Sequence, residues 1–205
     1  KLRRMTKRAI TVSSFIMWPM MVGLAVIAEP MVKLILTDKW LECVPFLQIF
    51  CLSYALSPIH TANLNAIKAL GRSDIFLKLE FIKKAVGITI IVVGISFGVY
   101  GLAVATLVAS IIGTFINSYP NKKELQYSYL QQVGDILPAI IMSLIMGMII
   151  YPIKFLNVSI VWIVLLQVTA GMLVYIFEVK LIKNETYDYI INIVKEKKGQ
   201  MKNHG

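Results

Sequence analysis

Polar residues recur at every fourth position along one apolar stretch of the chain. The row consists of Ser53, Ser57, Thr61, Asn65, Lys68 and Arg72. Residues three or four positions apart share one face of an α-helix, so the spacing predicts a polar stripe that ends in two cations. Hydroxyl and amide groups form neutral hydrogen bonds, and the two cations can bind an anion. Such groups in an apolar helix are costly unless they face a cavity or a partner, so the row marks a face that could bind a ligand.

A simpler interpretation of these side chains stays open. Ser and Thr in apolar helices often bond their own backbone or allow two helices to pack closely. A second row with the same spacing has the same two interpretations, and it consists of Thr106, Ser110, Thr114 and Asn117. His60, beside the first row, is a possible proton acceptor. A lone histidine, however, more often satisfies a local hydrogen bond.

Other kinds of chemistry have little support in the sequence. There is no phosphate-binding glycine loop, no nucleophile motif and no group of Cys and His residues with the spacing of metal ligands. We therefore expect no enzyme activity, no cofactor and no metal site.

The helices that must carry these rows are defined by where charge is missing. Only 16% of the residues are charged, against about 25% in a soluble domain. Five windows contain no Asp, Glu, Lys or Arg, and they cover residues 9–28, 43–67, 85–121, 136–153 and 155–177. A membrane-spanning helix needs about 20 apolar residues, so four windows each fit one span and the longest fits two.

Six transmembrane helices follow from these windows, over residues 10–27, 44–64, 84–97, 102–118, 136–151 and 158–177. The turn that divides the longest window is expected at Gly98-Val99-Tyr100-Gly101, where glycines permit a tight turn. The charge-free part of the third span is short, so this helix has to extend into residues 76–84 to cross the membrane. None of the predicted spans has an Asp or Glu near its middle, so an ion-coupling carboxylate is not expected in this chain.

The placement of basic residues predicts the orientation of the spans. With six spans, all but three of the 21 basic residues fall on one side, and the exceptions are Lys33, Lys39 and Lys154. Loops that remain in the cytoplasm are enriched in Lys and Arg, so both ends are expected to be cytoplasmic. A net charge of +10 also suits nucleic-acid binding. Because the charge is divided among short loops, we expect no nucleic-acid partner.

The predicted fold is an all-α, polytopic membrane protein of the cell membrane. Residues 1–183 form a six-helix transmembrane lobe, and residues 184–205 form a cytoplasmic tail with an amphipathic helix and a polar end. The lipid bilayer is the first expected partner.

The order of four stretches resembles the C-terminal half of the bacterial oligosaccharide flippases. This is the polysaccharide-export family of the multidrug, oligosaccharidyl-lipid and polysaccharide transporter superfamily. The stretches are Ala28-Glu29-Pro30 followed by Trp40, residues 65–74, residues 97–103, and Asp135-Ile136-Leu137-Pro138.

The resemblance implies a transporter of two six-helix lobes that works by alternating access, of which this chain is the second. Because the chain begins with Lys rather than Met, we expect an N-terminal six-helix lobe to be missing. The implied substrate is an oligosaccharide on a polyprenyl pyrophosphate, made in the cytoplasm and flipped for capsule, O-antigen or exopolysaccharide assembly.

This substrate suggests a role for each polar residue. We expect Lys68 and Arg72, with Lys84, to attract the pyrophosphate at the inner mouth. Ser57, Thr61 and Asn65, together with the second polar row, would face the path of the sugars.

Two other functions stay open. One is a cation-coupled drug or metabolite antiporter of the same superfamily. The other is a membrane scaffold of a polysaccharide assembly complex that transports nothing.

Overall fold

A computed structural model describes residues 1–182 of the chain. This part is almost entirely helical and contains no strand. The α-helices are α1 Leu2–Leu36, α2 Val44–Ala55, α3 Ser57–Ala69, α4 Ser73–Ile95, α5 Gly98–Glu124, α6 Tyr129–Ile150 and α7 Ile160–Ile182. Short 3-10 helices, Asp38–Cys43 and Tyr151–Phe155, precede α2 and follow α6. The predicted all-α architecture is confirmed, and the predicted tail, residues 184–205, lies outside the described residues.

Within the described part, five helical segments are long and apolar enough to cross a membrane. They are Leu2–Leu36, Asp38–Ala69, Gly98–Glu124, Tyr129–Phe155 and Ile160–Leu181. The predicted third span corresponds to α4, which starts at Ser73 rather than near residue 84. At 23 residues α4 has the length of a span, but its first half carries several charges. The chain is a multi-pass membrane protein.

The helices pack in a simple order. Helix α1 is central and contacts α2 and α3 on one side and α6 and α7 on the other. The α2–α3 segment lies between α1 and α5, and α4 packs mainly on α5. Helix α4 is therefore covered on one side and exposed on most of its remaining surface.

The proline in the middle of α1 is compensated by a side chain of α7. Pro19 has no N–H, so the carbonyl of Phe15, one turn earlier, loses its partner within the helix. The Tyr175 hydroxyl donates a hydrogen bond to this carbonyl at 2.7 Å. In a membrane an unpaired carbonyl costs several kcal/mol, so this bond stabilises the contact between α1 and α7.

The turn between the third and fourth predicted spans lies at Ser96 and Phe97, just before residues 98–101, where it was expected. Helix α4 ends at Ile95, and α5 begins at Gly98, which has a φ of +73°. The two helices then approach each other so closely that Gly94 and Gly101 face each other. A β-carbon on Gly101 would lie 2.5 Å from the Gly94 carbonyl oxygen. Only glycine fits at this crossing.

A buried network of amide side chains fixes how α3 is rotated. Asn63 donates to Gln132 of α6 at 2.6 Å and to Ser118 of α5 at 3.1 Å. Asn121 of α5 donates to the Asn63 side-chain oxygen at 2.5 Å. These four side chains are completely buried, so the Asn63 face of α3 is held against α5 and α6.

An ion pair at the same end of the bundle joins α1 to α6. The Asp135 carboxylate accepts hydrogen bonds from Lys7 and from the Tyr127 hydroxyl, each at 2.7 Å. Burial and the bond to Asp135 both raise the pKa of Tyr127, which lies in the turn between α5 and α6. Asp135 opens one of the four stretches on which the family resemblance was based.

Replacing Gly101 with Ala is expected to destabilise the chain by about 1–3 kcal/mol, because the new methyl group meets backbone atoms that cannot move aside. The matched control is Gly87→Ala on α4, where a β-carbon would meet no atom within 4 Å. Thermal unfolding of both purified variants in detergent measures the difference. Equal midpoints would show that the helices do not cross at Gly101.

Removing Gln132 is expected to take three buried hydrogen bonds from the network, two with Asn63 and one with Ser118. Hydrogen bonds between membrane helices are worth up to about 1.7 kcal/mol each, so Gln132→Ala should cost about 2 kcal/mol. The control is Gln48→Ala, which removes an exposed amide with one hydrogen bond to the Ala25 carbonyl. If the two variants unfold at the same denaturant concentration, the network does not hold α3 in place.

Candidate functional site

The two faces of α3 differ in chemistry. Ile59, Asn63 and Ala66 are buried against the bundle, whereas Thr61 and Asn65 are exposed. The exposed pair lies on a segment that is long enough to span the membrane. Polar groups at this depth are tolerated where they meet water or protein rather than lipid. This side of α3 is thus suited to a hydrated path.

The predicted row is divided by a break in the helix. Helix α2 ends at Ala55 and α3 starts at Ser57, with Pro58 in its first turn. Ser57 is half-buried, and the hydroxyl of Ser53, before the break, bonds its own helix at the Ile49 carbonyl. The simpler interpretation therefore holds for Ser53, and the exposed part of the row begins after the break.

The second polar row, on α5, faces into the bundle. The hydroxyls of Thr106 and Thr114 bond carbonyls of their own helix at 2.7 and 2.6 Å. Ser110 donates to the Ser53 carbonyl at 3.2 Å, across the break in α2–α3. Thr114 and Asn117 are completely buried. The expectation that this row faces the sugars is wrong, because its side chains serve helix packing.

The three predicted cations are in different environments. Lys68 is exposed at the end of α3, with its ammonium 4.6 Å from the centre of the Phe76 ring. Arg72, in the turn before α4, forms ion pairs with Asp74 and Glu124 at 3.1 and 3.4 Å. The hydrogen bond between Arg72 and Asp74 raises the pKa of Arg72 and lowers the pKa of Asp74. The charge of Arg72 is thus balanced by acidic neighbours.

Lys84, the third predicted cation, lies about halfway along α4. It follows the start of α4 by three turns, about 16 Å at 1.5 Å per residue. Lys84 is exposed and forms no ion pair with any residue from 1 to 182. A lone ammonium at this depth is costly in lipid, so the exposed side of α4 is also suited to water.

An ion pair inside α4 was missed by the sequence analysis. Glu80 and Lys83 pair on the side of α4 that faces the bundle, and both are about three-quarters buried. The prediction used residues 76–84 only to lengthen the third span and did not consider that Glu80 and Lys83 would pair. Their spacing of three was the available signal, because it places the two charges on one helix face. Glu80 lies in α4, which is not one of the five candidate spans, so the expectation that the spans lack a central carboxylate stays a prediction.

His60 is held between α3 and α5 by both of its ring nitrogens. Nε2 lies 3.1 Å from the Ser110 carbonyl oxygen, and Nδ1 lies 3.0 Å from the Asn117 amide nitrogen. The structure thus joins His60 to two members of the second polar row, and to none of the three predicted cations.

A separate cavity of about 590 Å³ lies between α1, α6 and α7. Its walls are apolar and rich in methionine, and they include Met20, Gly23, Met146, Val168 and Met172. This cavity suits hydrocarbon rather than a sugar. Within the described part, no group of three His, Cys, Asp or Glu residues could hold a metal ion.

Comparisons with known proteins agree with the resemblance that the sequence suggested. A family model described as "Polysaccharide biosynthesis protein" matches residues 1–45. The chain is 27% identical over 159 residues to the lipopolysaccharide biosynthesis protein WzxC of Escherichia coli, a match that covers 73% of this chain and 32% of WzxC. It is 25% identical over 113 residues to an uncharacterized membrane protein in the cps region of Klebsiella pneumoniae, covering 55% of this chain and 23% of that protein. The chain therefore spans about a third or less of the length of these relatives.

The fold is also that of a solved flippase structure. The structure of the lipid II flippase MurJ, in an inward closed conformation, superimposes on this chain with a TM-score of 0.76. The match covers 93% of this chain and 40% of the MurJ chain. At 22% identity, the likeness concerns the fold alone. Taken together, the relatives and the fold support the resemblance to the polysaccharide-export family of the multidrug, oligosaccharidyl-lipid and polysaccharide transporter superfamily.

Proposed function

We propose that the chain forms one lobe of a flippase that moves an oligosaccharide on a polyprenyl pyrophosphate across the cell membrane by alternating access. The observation that carries the proposal is the exposed polar face of α3, which is not covered by any other described helix. Together with the exposed side of α4, it forms what we call the path surface, defined by Thr61, Asn65, Lys68 and Lys84.

The chemistry of the path surface matches the two parts of such a substrate. Sugar hydroxyls need neutral donors and acceptors, which Thr61 and Asn65 supply. A pyrophosphate needs cations, which Lys68 and Lys84 supply at two depths. A charged head group that crosses the membrane then meets a cation both at the end of α3 and about halfway along α4.

Arg72 has a smaller part in this proposal than the sequence suggested. Asp74 and Glu124 already balance its charge, so a phosphate would have to displace a carboxylate to bind there. Ser57, half-buried beside the break, lies at the edge of the path surface.

The remaining assignments follow the same proposal. The partner of this lobe is a second six-helix lobe, which would close the path surface from the other side. The distribution of Lys and Arg supports an orientation with both ends in the cytoplasm. No step in such a transport cycle requires a covalent reaction, a cofactor or a metal.

Replacing Lys68 and Lys84 with Gln is expected to slow flipping about tenfold, since a charge-assisted hydrogen bond contributes about 1.5–3 kcal/mol. The full-length protein is placed in vesicles, and a fluorescent lipid-linked oligosaccharide is followed by its protection from an impermeant quencher. Lys123→Gln, an exposed lysine at the end of α5, is the matched control. Undiminished flipping by the double variant at normal protein levels would rule out charge capture. The absence of flipping by the unmodified protein would favour an antiporter or a scaffold.

Arg72→Gln is expected to change the flipping rate by about twofold or less, because exposed ion pairs contribute little energy. The same vesicle assay measures it beside the lysine variants. A loss as large as theirs would mean that the guanidinium leaves Asp74 and Glu124 to bind the substrate.

A further inference from the structure

His60, which the sequence marked as a possible proton acceptor, lies in the middle of a membrane span. Its partner Ser110 is near the centre of the 27-residue helix α5. The ring is half-buried and is next to the exposed Thr61. Part of the ring is therefore accessible from outside the bundle.

The partners of the ring define its protonation state. The Ser110 carbonyl can only accept, so Nε2 carries the hydrogen. The Asn117 amide nitrogen can only donate, so Nδ1 accepts and carries none. His60 is thus held as the neutral Nε2–H tautomer.

Asn117 has an unused group that suits the protonated ring. Its side chain is completely buried, and its oxygen Oδ1 has no hydrogen-bond partner. A half-turn of the amide exchanges its nitrogen and oxygen in place. Oδ1 would then accept a hydrogen bond from a protonated Nδ1, while the bond from Nε2 to Ser110 stays intact.

We propose that His60 and Asn117 form a proton-binding site in the middle of the span, and that its occupation changes how α4 packs on α3 and α5. The proton comes from water and binds to Nδ1, so one N–H bond forms and no other bond changes. The proton site itself does not depend on the proposed function. Only its purpose rests on that function, and this purpose is to make the conformation of the lobe depend on pH.

The link to α4 is electrostatic. The Lys83 side chain and the His60 ring meet over Gly113, where their nearest carbons lie 3.6 and 2.9 Å from the position of a β-carbon. In the described part, Lys83 and its partner Glu80 are the charged groups that face the ring. A proton on His60 therefore adds a second positive charge beside Lys83, with one carboxylate to balance both. This repulsion is stronger between half-buried groups than it would be in bulk water.

The link to the break between α2 and α3 is a pair of hydrogen bonds. The Ser110 carbonyl accepts a hydrogen bond from His60, which follows the break. The Ser110 hydroxyl donates one to the carbonyl of Ser53, which precedes the break. Movement of the ring is thus transmitted to both halves of the broken helix.

The test follows the ring directly. The full-length protein is labelled with ¹⁵N-histidine and placed in nanodiscs. Its NMR spectrum is recorded between about pH 8 and pH 5. His60→Gln identifies the signal by its loss. We expect the neutral Nε2–H form at high pH and a doubly protonated ring at low pH. In Asn117→Leu, proton binding should weaken about tenfold, because the charged ring loses its acceptor. Thr89→Val removes a hydroxyl that bonds only its own helix and should have no effect.

A second measurement follows the helices. Spin labels at Phe81 on α4 and Tyr119 on α5, both exposed, report the distance between these helices in a background without Cys43 and Cys51. We expect this distance to change over the pH range in which His60 gains its proton, and to stay constant in His60→Gln.

Three outcomes would overturn the proposal: a ring that stays neutral in the folded protein, a titration that Asn117→Leu does not alter, or a distance change that persists in His60→Gln. None of these readouts requires a transported substrate. Titration and movement without flipping of the lipid-linked oligosaccharide would reject the proposed function alone. Flipping with a neutral His60 at all pH values would reject the proton site alone.

Discussion

The structure depends on one constraint, which is that a polar group inside the membrane must have a partner in the protein or contact with water. Within the bundle this constraint is met by specific pairs. The Phe15 carbonyl, freed by Pro19, accepts from Tyr175, and the Ser53 carbonyl, beside the break in α2–α3, accepts from Ser110. The amides of α3, α5 and α6 bond one another in a fully buried network. Thr61, Asn65 and Lys84 have no such partners in the bundle, and this difference marks the surface that we assign to transport.

The spans were predictable from the sequence because the cost of burying charge in lipid leaves long windows without Asp, Glu, Lys or Arg. The glycines at residues 98–101 placed the turn two residues too late, because they form the first turn of α5. The reasoning from charge-free windows failed at the start of α4, where Lys78, Glu80, Lys83 and Lys84 lie inside the helix. Charges within a helix interrupt an apolar window even when an ion pair or an exposed side accommodates them.

The orientation of the polar rows could not be read from spacing alone. Both rows have Ser, Thr and Asn at helical spacing, yet most of the first row is exposed and no residue of the second row is. A period shows that residues share a face, but only the neighbouring helices decide whether that face points inward. The sequence likewise identified Arg72 as a cation but could not show that Glu124, 52 positions away, balances its charge.

The division of α3 into a bonded face and an open face has an evolutionary consequence. Asn63 and Asn65 are two positions apart, yet only the first takes part in holding the bundle together. A mutation at Asn65 or Thr61 therefore leaves the packing of the lobe intact. This side of the helix can therefore change one residue at a time while the scaffold stays the same.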